Sequence, residues 1–79
     1  MNKTQIVAEL HEKLEDAIMT SGMSLVEICK KAKISRHMLW QYRFYAVTPS
    51  PLVLARLAIT LNISVDYLLG LSKKKELTA

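Results

Sequence analysis

The chain has 79 residues, 51% of them hydrophobic, with a net charge of +4 and only two glycines and two prolines. That length makes one domain with a modest core, burying roughly 60% of the unfolded surface or a little more, and the composition excludes a disordered chain or a turn-rich β fold. No apolar run approaches the ~20 residues of a membrane span, the N-terminus lacks a signal-peptide layout, and a single cysteine, Cys29, excludes an intramolecular disulfide and fits a reducing cytoplasm.

Residues 4–21 are predicted as a long amphipathic helix. Ile6, Val7, Leu10, Leu14, Ala17 and Ile18 recur at three- and four-residue spacing, with Lys3, Glu9, Glu12, Lys13, Glu15 and Asp16 opposite. Asn2 or Thr4 would cap it, and Gly22 would end it. Ser24-Leu25-Val26-Glu27 is a capping box, and Met23 and Ile28 occupy hydrophobic-staple positions around it. The helix starting at Leu25 must be short, because Ser35 after Ile34 is a fresh N-cap. A second short helix follows, about Arg36 to Phe44, with Leu39 and Tyr42 inward and Arg36, His37, Trp40, Gln41 and Arg43 outward. Two short helices across a tight turn, spanning about 24–45, form a helix-turn-helix candidate.

Ser50-Pro51 then places an N-cap and an N1 proline before a helix over about 51–61. Leu54, Leu57, Ala58 and Leu61 form its inner stripe, and Leu52, Val53 and Ile59 make it unusually apolar. Asn62 is suited to a left-handed residue. Ser64 caps a last helix, Val65 to Leu69, with Asp66 in its first turn and Gly70 after it. Residues 73–79 read as a flexible basic tail. The fold class is therefore all-α, a compact five-helix bundle over residues 1–72.

Charge is segregated along the chain. Residues 1–27 carry a net −3, and residues 28–65 hold Lys30, Lys31, Lys33, Arg36, Arg43 and Arg56 without a single acid. Solubility does not require that segregation; an anionic partner does.

At this point the residues resemble the Cro/cI-type (Xre-like) helix-turn-helix domains of phage and bacterial transcriptional repressors, over roughly Leu14 to Ser72. The resemblance rests on Ile28-Cys29, Ile34-Ser35-Arg36, Leu39 and Tyr42, then Pro49-Ser50, Leu57-Ala58 and Leu61 through Gly70. It departs at three places. Lys33 stands where the family has a turn glycine, Leu25 where it often has a phosphate-contacting glutamine, and Arg43-Phe44-Tyr45 where it has Glu-x-Gly. What the resemblance implies is a lambda-repressor-like domain whose second motif helix enters the major groove, with Arg36, His37 and Gln41 at base-contacting positions. The chemistry suits them, since arginine pairs bidentately with guanine and glutamine with adenine.

Ser35 at the helix N-terminus and Lys30, Lys31, Lys33, Arg43 and Arg56 are the expected backbone-contacting set, with Trp40 beside them. About four such contacts per monomer predict a salt slope of about −3.6. For Trp40 three roles stand open: a thymine methyl or sugar, packing on Phe44-Tyr45, or a partner protein. His11, Cys29 and His37 lack metal-ligand spacing, so no metal or cofactor is expected. No nucleophile–base set is present either, so no enzyme is expected.

The expected function is sequence-specific recognition of double-stranded DNA, as a repressor acting as a dimer on an inverted repeat, in a bacterial or phage-encoded cytoplasmic, nucleoid-associated setting. The alternative is an antitoxin-like or anti-repressor-binding module that engages a regulatory protein. Ile6, Val7 and Leu10 with Leu52, Val53 and Ile59 either meet a second subunit or bring the first helix over the fourth within one chain.

Overall fold

The computed structural model describes residues 2–45 and 47–77. Ala46 in the linker, and Thr78 and Ala79 of the basic tail, lie outside the described residues. Five helices follow in order: α1 Lys3–Thr20, α2 Leu25–Ala32, α3 Arg36–Phe44, α4 Pro51–Leu61 and α5 Val65–Leu68.

Each helix starts on a side chain that accepts an otherwise unpaired backbone N–H. Asn2 accepts from Gln5 at 2.9 Å, and the Gln5 side chain returns the bond to the Asn2 N–H, so the complete capping box is on α1. Ser24, Ser35, Ser50 and Ser64 accept from Glu27, Met38, Val53 and Tyr67. The box expected on α2 is only half made. Glu27 turns instead toward Lys31, 3.3 Å away on the next turn. The helices also stop as their residues dictate. Lys33 and Asn62 take the left-handed conformation with φ of 57° and 54°, and the following N–H groups of Ile34 and Ile63 close back on Cys29 and Ala58.

The core is one cluster, with Leu10, Leu14, Ile28, Leu57 and Leu68 its largest fully enclosed side chains. Each contributes about 1.5–3 kcal/mol by leaving water. α2 packs most extensively on α4, while α1 lies against α3 and α5. Of the two arrangements open for the apolar residues of α1 and α4, α1 lying over α4 is not among these main packings. Leu10 is buried within the single chain and Ile6 and Val7 are half-buried, but Leu52 and Ile59 stay 60% and 69% exposed. Val53 is the one member of the α4 excess that turns inward.

After Ser72 the chain folds back along the α4–α5 turn. Ile63 and Glu76 form an antiparallel bridge, the Ser64 N–H donates to the Lys75 carbonyl at 2.8 Å, and the Ser64 hydroxyl donates to the Lys74 carbonyl at 2.9 Å. Lys75 reaches Asp16 of α1 at 3.6 Å. The cap of α5 thus doubles as an anchor for the chain end, so the folded unit extends to Leu77. Among the described residues, no helix is long and apolar enough to cross a membrane.

Candidate nucleic-acid interface

α3 is seated by its inward residues. Leu39 and Tyr42 are buried against the core, and burial pushes the Tyr42 hydroxyl pKa up. At its N-terminus Ser35 holds the Met38 N–H at 3.0 Å. Arg36 and His37 are exposed directly after this cap, and Gln41 is half-buried one turn further on. Among the described residues Arg36 has no ion-pair partner. The three residues expected at base edges therefore share one exposed helix face, with Arg36 and His37 the more accessible.

A row on α1 fixes how α3 sits. His11, Glu15 and Met19 recur every four residues, so they lie above one another on one face of α1. His11 Nδ1 lies 2.9 Å from the Tyr42 carbonyl, which can only accept, so this nitrogen carries the proton. Glu15 takes two bonds from Arg43, at 2.8 Å from Nε and 2.9 Å from Nη2, and Met19 Sδ lies 3.8 Å from the same guanidinium. The Glu15 carboxyl pKa is held below its ordinary value, chiefly by the Arg43 hydrogen bond, and the Arg43 pKa is raised in turn.

Arg43, expected among the backbone-contacting residues, is thus engaged within the chain. Its side chain is only 15% exposed, its charge is neutralised by Glu15, and its guanidinium rests 4.9 Å from the centre of the Phe44 ring. The four-residue spacing of His11, Glu15 and Met19 is the sequence signal for this row on α1.

Apart from Lys30, the remaining basic residues of this stretch divide between two grooves. Between α2 and α3 a groove of about 280 Å³ is lined by Leu25 and Cys29 of α2 and by Arg36, His37, Leu39, Trp40 and Arg43 of α3. Burial raises the Cys29 thiol pKa, against a smaller opposing pull from Arg36. Between α2 and α4 a second groove of about 210 Å³ is lined by Lys31, Lys33, Arg56, Ile59 and Thr60. Lys31 and Cys29, two residues apart, point about 200° apart around α2, which is why the two grooves open on different sides of that helix. Lys30 is exposed; Lys31 shares its charge with Glu27.

Trp40 is 44% exposed and sits at the centre of an aromatic cluster. The His37 ring stacks at 5.7 Å between centroids, Tyr45 tilts against it at 4.6 Å, and Phe44 meets it edge-on at 6.4 Å. Packing on Phe44 and Tyr45, one of the three roles left open, is thus observed. It still leaves all three rings facing solvent. Among the described residues no group of three or more His, Cys, Asp or Glu side chains is placed to hold a metal ion.

Searches for similar proteins find no family model, no curated protein and no solved structure that matches this chain.

Proposed function

We propose that the protein is a sequence-specific double-stranded DNA-binding regulator of transcription, a cytoplasmic repressor of the lambda-repressor-like helix-turn-helix type that acts as a dimer. The observation that carries this reading is the exposed start of α3. Arg36 and His37 project next to a capped helix N-terminus, Gln41 follows one turn later, and the 38 residues from Ile28 to Val65 contain no acid to oppose a polyanion. A helix of this length fits the major groove, where arginine and glutamine discriminate guanine and adenine. Lys30, Lys33 and Arg56 supply backbone contacts, with Lys31 as a partly neutralised fourth.

One monomer offers only a small interface, so two copies on half-sites about 34 Å apart supply the area that specific binding needs. The exposed Leu52 and Ile59 on α4, and Leu71 beyond α5, are among the apolar groups available for subunit contact. A second reading, a module that binds a regulatory protein, is favoured by the exposure of Trp40, Phe44 and Tyr45. Selection of bound sequences from a random duplex pool at two salt concentrations tests the first reading. An enriched inverted repeat is the expected result, and a pool that stays unenriched at low salt would overturn it.

A further inference from the structure

Three exposed rings on a helix surface need a reason. A base-paired duplex hides the faces of its bases in the stack, so Trp40, Phe44 and Tyr45 offer it little that a smaller residue would not. An apolar protein surface would use the rings but would have to desolvate Arg36 and His37 beside them. The partner that uses both is an unpaired nucleotide, which has an exposed π face and a phosphate.

The groove between α2 and α3 fits such a group. Leu25, Cys29, Leu39 and Trp40 line it with apolar and aromatic surface, and Arg36 lines it beside Arg43, which Glu15 neutralises, with no carboxylate among the groove-lining residues. At about 280 Å³ it is near the lower end of ligand-sized pockets, the size for one planar ring rather than an extended chain. His37, Phe44 and Tyr45 hold the indole from three sides, so little side-chain entropy is lost when a base meets it.

We infer that this groove and the rings around Trp40 bind unpaired nucleobases of single-stranded nucleic acid, with Arg36 engaging the adjacent phosphate. This goes beyond the duplex reading and shares with it Arg36 and the anionic nature of the partner.

Trp40 is the only tryptophan in the chain, so its emission reports on this site alone. The protein is titrated with oligothymidylate of about twelve nucleotides, with its duplex, and with inorganic polyphosphate of equal charge. The expected result is saturable quenching by the single strand and none by polyphosphate. Trp40→Ala should weaken single-strand binding, read by anisotropy of labelled oligonucleotide, about tenfold or more. Trp40→Phe should retain most of the affinity, and circular dichroism should show both variants folded. Equal affinity in Trp40→Ala, quenching by polyphosphate, or quenching by the duplex alone would each overturn the inference. The last would leave the duplex reading intact. Conversely, an unenriched duplex pool together with single-strand quenching would sink the duplex reading and leave this one standing.

Discussion

Glu15 on α1 receives two hydrogen bonds from Arg43 on α3, at 2.8 and 2.9 Å, and thereby ties α1 to the helix that carries Arg36 and Gln41. The pair is partly exposed, so its worth is modest. Charge-assisted bidentate geometry raises it above an ordinary surface pair, and solvent screening lowers it again. Arg43→Ala is expected to lower stability by about 1 kcal/mol in urea titrations.

The same pair makes stability pH-dependent. Because the folded-state pKa of Glu15 lies below the ordinary 4.5, its contribution is complete above that value. It is lost as pH falls through the lower folded value. Glu15→Gln should flatten this acid limb in urea midpoints measured down the pH scale. An unchanged limb would show that the pair does not govern it.

Lys33 occupies a left-handed position that glycine takes without a steric cost. Lys33→Gly should therefore raise stability by up to about 1 kcal/mol, reduced by the extra freedom glycine has when unfolded. A higher thermal midpoint with weaker nucleic-acid binding would assign Lys33 a functional reason for tolerating strain. A lower midpoint would mean that its side chain stabilises the turn.

α4 offers a direct comparison of similar residues in different places. Leu57 is fully buried, and Leu57→Ala should cost about 2–5 kcal/mol, a large part of the stability of so small a domain. Ile59→Ala, two positions on, should change the stability of the monomer by less than about 0.5 kcal/mol. A large, concentration-dependent loss for Ile59→Ala would instead place Ile59 in a subunit contact.

Under the duplex reading, the basic residues should separate by salt dependence. Lys33→Ala should reduce the slope of log affinity against log salt by about 0.9 per site, whereas Arg43→Ala should leave it unchanged because Glu15 already neutralises that charge. Arg36→Ala should cost about 1–3 kcal/mol on the best site and relax discrimination at one base pair. Equal slopes for the Lys33 and Arg43 variants would contradict the assigned contacts.

Helix positions were legible in the linear chain because their causes are local. Ser24, Ser35, Ser50 and Ser64 each cap a helix from within three residues, and Lys33, Asn62 and Gly70 turn the backbone where those helices end. Periodicity likewise placed Leu10, Leu14, Leu39, Tyr42 and Leu57 inside, since facing the core needs only a repeat near 3.6. Arg36 and His37 could be expected on the surface for the same reason.

What only the tertiary structure decided was the use of side chains that local rules leave free. Charge alone could not tell that Arg43 would be claimed by Glu15, 28 positions away, while Arg36 has no such partner among the described residues. Nor could it tell that Lys31 and Lys33 would line a different groove from Arg36, or that residues 74–76 would dock on Ile63 and Ser64. Capping and amphipathic spacing act within a turn or two of the chain. Ion pairing and groove formation depend on which helices meet, and this is settled only when α1 lies down on α3 and α2 on α4.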